Sequence, residues 1–336
     1  MRMQLRGIWL VVAMLLSENA LAFSSNGHQS VGAIADAMLV GSRAGREVKT
    51  ILGVLGDEPL TLEQVAVWPD CARGVHPEEN FAYDPGKYRD LACARFEDKA
   101  GVKALVAYVK RNNSNCMYAN KMVECHKAFH FADVASGRGR YDASFPGTSS
   151  TDVVHAMGAA IIVLRGGKAP APFRIASKKE ALVLLTHLAG DVHQPLHVGA
   201  VYLDGQGIVR DPGTEAVATP MNTRGGNSLL GTGGNLHHQW DETHYPLTDP
   251  SLFADLASAA SSVAPSDGAY VDWPLWPGPA KRYRSRRARL TAPASVPVPR
   301  LPAGRSPMAT AVPISSASNQ RSTTRSSKAA PGWRHC

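Results

Sequence analysis

The sequence predicts a mainly α-helical single domain. Four stretches place apolar residues at the three- and four-residue spacing of an amphipathic helix. A chain of 336 residues with 44% hydrophobic composition can bury one large core or two modest ones. Past Asp272 the chain turns to Pro, Ser, Ala and Arg without an apolar period, so the core has to form upstream of it.

Residues 1–22 read as a secretory signal. Arg2 and Arg6 lead, GIWLVVAMLL supplies the apolar stretch, and a small-residue ALA site closes at Ala22. The mature chain is then expected to begin at Phe23. The apolar run is too short for a spanning helix with those flanks, and no later stretch is long enough to cross a bilayer. A soluble exported protein, periplasmic or secreted, with no stable membrane association, is the expectation, with an uncleaved membrane anchor as the alternative.

The helices follow in order at 28–39 (HQSVGAIADAML), 99–111 (KAGVKALVAYVKR), 152–166 (DVVHAMGAAIIVLRG) and 177–193 (SKKEALVLLTHLAGDVH). The last opens with Ser177 and carries Glu180 three residues on, a capping-box signature that places its start. Residues 199–235 are polar and Gly-rich, with GQG, RGGN and GTGGN, and predict a long excursion containing a short hairpin. The chain shows no internal repeat.

The net charge of +8 would ordinarily suggest an anionic partner. Twelve Lys and Arg residues with no acidic residue follow Asp272, however, and removing them from the total leaves residues 1–272 at −4. The basicity belongs to the tail, 273–336, and the body, 23–272, is acidic. In an oxidising compartment Cys71, Cys93, Cys116 and Cys125 form an even set that predicts two disulfides. Sequence leaves three pairings open; Cys71 with Cys93 and Cys116 with Cys125 is the expected one, because each closes a short loop. Cys336 is left over in the tail.

Within the fourth helix, HLAGDVHQPLH (187–197) concentrates groups that a core does not need. His187 and Asp191 lie four residues apart and project from one helical face, about 5–6 Å between Cβ atoms, close enough to share an ion. Pro195 disfavours helix at Gln194 and turns the chain, so that His197 can approach from a new direction. NLHHQWD repeats the four-residue spacing with His237 and Asp241. VWPDCAR adds Asp70 beside Arg73, and AFHFAD adds His130. Imidazole and carboxylate without thiolate describe a hydrolytic zinc site rather than a closed structural one.

In chain order, these motifs resemble the S1/P1 nuclease family: GH near the mature start, WPDCAR as W-x-D-x-x-R, FHFAD, HLAGDVHQPLHVG and GGNLHHQWD. The resemblance implies a single-domain helical fold of the phospholipase C/P1 nuclease type with three zinc ions in one cleft. It implies one ion on Asp70, His130, His187 and Asp191, and a second on His197, His237 and Asp241. The third falls on His28, Asp191 and the free amine and carbonyl of Phe23, where the family usually has Trp. A free amine at that residue exists only after the signal is removed, which would couple export to activation.

The implied activity is cleavage of phosphodiester bonds in single-stranded RNA or DNA to 5′-phosphorylated products, with 3′-nucleotidase activity as an extension. Arg73 would clamp phosphate oxygens and Asp191 would bridge two ions. Phe131 would stack on a base and Asp133 would hydrogen-bond it. Stacking accepts any base and demands an unpaired one, so an acidic body can still take nucleic acid. No obligate protein partner is inferred. A zinc-dependent phospholipase C shares this scaffold but commonly has Glu where this chain has Asp241. An inactive zinc-binding relic is the third reading.

The tail lacks the helical segments that the family resemblance implies after WD. Read from the third base of each codon, WPLWPGPAK is compatible with Ala-x-Leu-Ala-Trp-Ala-x-Glu, and KAAPGWRHC with Ser-Gly-Ala-Arg-Leu-Ala-Ala-Leu. A change of reading frame near Trp273 to Trp276 is therefore expected, with the tail, 273–336, a disordered, out-of-frame translation; a genuine basic low-complexity tail that binds acidic partners is the rival reading.

Overall fold

The helices in chain order are α1 (Ser25–Leu39), α2 (Arg43–Leu52), α3 (Leu62–Val65), α4 (Trp68–Cys71), α5 (Lys99–Arg111), α6 (Cys125–Ala128), α7 (Val153–Leu164), α8 (Lys178–Asp191), α9 (Pro195–Val198) and α10 (Leu236–Asp241). This computed structural model describes residues 24–242 except 87–89, 119–120, 139, 214–220 and 232–233, and beyond them residue 258. Two units divide at Ala280, and every described residue belongs to the first. The expected signal at 1–22, Phe23 and the tail at 273–336 lie outside the described residues.

All four stretches with helical spacing are helices, as α1, α5, α7 and α8. Helix α8 is the axis of the body: Ala181, Leu182, Val183, Leu184, Thr186, His187, Leu188, Gly190 and Asp191 are all buried. Small residues on α7, among them Ala156, Ala159 and Ala160, let it pack closely on α8, where Leu184 and Leu188 fill the space between them. Each such leucine contributes about 1.5–3 kcal/mol relative to exposure. His187 and Asp191 point into the interior because the C-terminal half of α8 has almost no face left for solvent.

The Ser177 cap forms, with its hydroxyl accepting from the Glu180 N–H at 3.1 Å. The reciprocal bond differs from the expected box: Glu180 accepts from Ala176 N–H at 3.1 Å and pairs with Arg111, which draws its carboxylate away from the cap residue. A complete capping box stands instead at α3, between Thr61 and Gln64. Asp36 of α1 reaches the same helix start and accepts from Leu62 and Glu63 N–H at 3.2 and 3.0 Å. At Gly32 a Cβ would lie 2.5 Å from backbone atoms of Leu62 and Glu63, so only glycine lets α1 approach α3 this closely.

Disulfides Cys71–Cys93 and Cys116–Cys125 are both formed. The first ties the end of α4 to the 3-10 turn Leu91–Phe96. The second holds α6 against an antiparallel hairpin of Asn115–Tyr118 with Lys121–Glu124. The excursion after 199 carries short ladders: Gly199–Ala200 runs parallel to Val134–Ala135, and Tyr202–Leu203 pairs with Met221–Asn222. Among the described residues no helix is long and apolar enough to cross a membrane.

Candidate metal centre

Five helices and one loop deliver imidazoles and carboxylates to a single interior point. Helix α1 brings His28, α4 brings Asp70, the loop after α6 brings His130, α8 brings His187 and Asp191, α9 brings His197, and α10 brings His237 and Asp241. Apart from His130 all are buried. The i,i+4 spacing acts as expected, with His187 Nε2 3.3 Å from Asp191 Oδ2 and His237 Nε2 3.6 Å from Asp241 Oδ2.

Asp191 is the hub. Its Oδ2 lies 3.1 Å from His130 Nδ1, and its Oδ1 lies 3.4 Å from His28 Nε2 and 3.5 Å from His197 Nδ1. The approach of His28 depends on Gly190, where a Cβ would sit 2.8 Å from the imidazole. Three groups could each hold an ion, with every ligand atom within 4.8 Å of the others: His28, Asp70 and His187; His130, His187 and Asp191; His197, His237 and Asp241. The third group coincides with an expected ligand set. The other two share His187, and His28 joins Asp70 as well as lying next to Asp191.

Main-chain carbonyls set the imidazole tautomers. Nδ1 of His187 donates to Ala66 O at 2.7 Å, that of His197 to His130 O at 2.8 Å, and that of His237 to Gly225 O at 2.8 Å. Each bond leaves an Nε2 lone pair facing inward. The Nε2 atoms of His197 and His237 then meet at 3.1 Å, acceptor against acceptor. Asp241 Oδ2 and Asp191 Oδ1 are buried without a hydrogen bond. Opposed lone pairs beside bare carboxylate oxygens are costly alone and are relieved by a cation, so the donor set fits a borderline-soft divalent metal.

The electrostatics agree. Burial opposes charge on His187, but the carboxylates of Asp191 and Asp70 outweigh it and push this imidazole up to about 9. Burial also opposes the charge of Asp191, yet His187 and His197 hold its carboxyl well below the usual range. Burial raises Asp241 to about 8 against the hydrogen bond from Gln194. The centre as a whole attracts positive charge.

Arg73 follows α4 in the 3-10 turn Ala72–Gly74, and its charge favours the ionised forms of both Asp70 and Asp241. Phe131 is half-buried, with the Tyr118 ring edge-on to it at 4.5 Å. Asp133 is buried: its Oδ2 accepts from the Tyr118 hydroxyl and, at 2.7 Å, from Asn222 Nδ2, while burial lifts its carboxyl to about 6. Ser24 N–H donates to Asp241 O at 3.1 Å, so the backbone at the start of the described chain lies against α10.

The family model described as S1/P1 Nuclease matches residues 23–266. This chain belongs to the S1/P1 nuclease family. The match covers well over half of the sequence and takes in all eight of the residues gathered at the centre. As a member of this nuclease family the protein is a hydrolase of phosphoester bonds, and nucleic acid is its substrate class. No curated protein matches the chain.

Residues that matter here went unread in the sequence. Gln194, fully buried, donates to Asp241 Oδ1 at 2.8 Å. A glutamine directly before a proline at a helix start was the available signal. Tyr118 and Asn222 gave none, since neither belongs to a motif. The carbonyls of Ala66, His130 and Gly225 could not have been found, because every residue has one.

Proposed function

We propose that the protein is an exported, zinc-dependent phosphodiesterase that cleaves single-stranded RNA and DNA to 5′-phosphorylated products and also removes phosphate from 3′-nucleotides. The observation carrying the zinc reading is the pair of opposed Nε2 atoms of His197 and His237 beside the bare Oδ2 of Asp241. Three ions are proposed: one on Asp70, His130, His187 and Asp191, one on His197, His237 and Asp241, and one on His28, Asp191 and the amine and carbonyl of Phe23. Zinc in such a setting lowers the pKa of water towards neutrality and offsets charge on phosphate oxygens.

The chain's own residues supply the rest. Arg73, fork-shaped and always charged, holds a non-bridging phosphate oxygen beside Asp70 and Asp241. Phe131 offers a stacking face for an unpaired base, which favours single strands and makes a broad basic face unnecessary. Asp133 is proposed to read the base edge once Tyr118 and Asn222 yield. The Ser24 to Asp241 bond brings the backbone next to the proposed N-terminus against α10, and the two disulfides fit an oxidising compartment.

The test is zinc quantification on mature protein beginning at Phe23, with hydrolysis of single-stranded DNA, a 3′-nucleotide and phosphatidylcholine assayed side by side. Zinc-dependent release from the nucleic acid substrates, abolished by a chelator and restored by zinc, is expected. Cleavage of phosphatidylcholine alone, or activity surviving exhaustive chelation, would refute the reading.

A further inference from the structure

We propose that Gln194 is a positioning residue for the group His197, His237 and Asp241: one planar amide sets the rotation of the Asp241 carboxylate and the start of the helix bearing His197. The inference rests on the reading of that group as a zinc site.

Gln194 is completely buried in the bend between α8 and α9, with an extended backbone (φ −85°, ψ 114°). A buried amide left unsatisfied is expensive, so a chain placing one here needs its hydrogen bonds. Both ends are occupied. Oε1 accepts from the Leu196 N–H and caps α9, and Nε2 donates to Asp241 Oδ1 at 2.8 Å. The orientation has no ambiguity: a flipped amide would set N–H against N–H at Leu196 and oxygen against carboxylate oxygen at Asp241.

Two consequences follow from the same plane of atoms. Asp241 is divided, with Oδ1 tied to protein while Oδ2 faces His237 Nε2 at 3.6 Å without a hydrogen bond. His197 is placed too, because the Gln194 carbonyl accepts from the His197 N–H at 2.9 Å, inside the turn that the side chain caps. Both polar atoms of the Gln194 side chain are engaged by protein, so it is not itself a ligand. It acts through ligands on two separate helices, which few other residue types could do, since the position demands a donor and an acceptor at fixed spacing.

Two variants separate this role from packing. Gln194→Glu keeps the acceptor for Leu196 and removes the donor to Asp241, and Gln194→Met keeps volume and removes both. Zinc affinity is measured by competition with a chromophoric chelator, coordination by the visible absorption of cobalt-loaded protein, and fold by far-UV circular dichroism. In Gln194→Glu one class of zinc should bind about 10–100-fold more weakly, the loss typical of an outer partner of a metal ligand, with an altered cobalt spectrum and unchanged helicity. Gln194→Met should be at least as impaired. Wild-type zinc affinity and cobalt spectrum in Gln194→Glu would overturn the inference alone, as would loss of all zinc together with helicity. A wild-type protein that takes up no zinc would overturn the site reading beneath it.

Discussion

His197 and His237 face each other through their Nε2 atoms at 3.1 Å, while the Nδ1 of each is held by a main-chain carbonyl. Neither ring can turn to hide its lone pair without giving up a buried hydrogen bond. Zinc should therefore stabilise the fold as well as serve the reaction. At free zinc about a hundredfold above the dissociation constant, one site adds about 2.7 kcal/mol. Thermal unfolding with and without a chelator checks this, and His237→Ala should shrink the zinc-dependent rise in midpoint. An identical rise in that variant would count against the site.

Asp191 is the second test, because four imidazoles lie within 3.5 Å of its two oxygens. Asp191→Asn keeps the shape, removes the charge, and puts an N–H among nitrogens that need an acceptor or a cation. It should lower activity by more than the roughly 100-fold ceiling typical of outer-shell losses, and lower zinc content more than loss of any other single ligand. Full zinc content and rate in Asp191→Asn would rule out its bridging role.

Gly190→Ala probes the packing that admits His28. The added methyl would lie 2.8 Å from His28 Nδ1 and 3.2 Å from its Cε1, and the ring must move. Destabilisation of about 1–3 kcal/mol is expected, with reduced zinc content. Unchanged zinc stoichiometry and midpoint would show that the ring has room to adjust.

A pH-dependent contribution sits away from the centre, at the start of α7. The hydrogen bond that His155 Nδ1 donates to Asp152 Oδ1 at 2.9 Å raises the pKa of this imidazole above its ordinary 6.5, and the Tyr141 hydroxyl donates to the same carboxylate. A raised imidazole binds its proton more tightly folded than unfolded. Its stabilisation is therefore complete below the ordinary value and fades as pH rises through the folded one. With zinc saturating, the gap in unfolding midpoint between wild type and His155→Gln should be widest on the acid side of 6.5 and close on the alkaline side. A gap independent of pH would remove the assignment.

The tail makes its own prediction. At the end of the ligand-bearing body Trp240 is 52% exposed on α10 and Leu230 is 83% exposed just before it. If residues beyond about 273 are read out of frame, a protein with the frame restored should unfold at a higher temperature, each side chain newly covered adding about 1.5–3 kcal/mol. Sequencing the coding DNA around codon 273 and comparing both proteins with zinc present decides it. Equal midpoints and activities would show the tail to be harmless.

The pairing of imidazoles with carboxylates at the centre was legible in the sequence because helical periodicity does the placing. His187 with Asp191, and His237 with Asp241, are neighbours in any helix, whatever surrounds them. The four long helices and the two short-loop disulfides were legible for equally local reasons. The role of Gln194 was not, since its two partners become visible only when α9 and α10 are brought together. Nor was the hairpin from Asn115 to Glu124, whose strands are too short to show a period and which closes on itself through Cys116 and Cys125. The reciprocal cap at Ser177 failed for a similar reason: Arg111, from a distant helix, competes for Glu180.

The ligand-bearing helices run from α1, which carries His28, to α10, which carries Asp241, and the Ser24 to Asp241 bond joins the two extremes. A polypeptide is made from the N-terminus onward, so one that has grown only as far as α8 contains none of His197, His237 and Asp241. That group can therefore assemble only after α10 has been made, near the end of the described body.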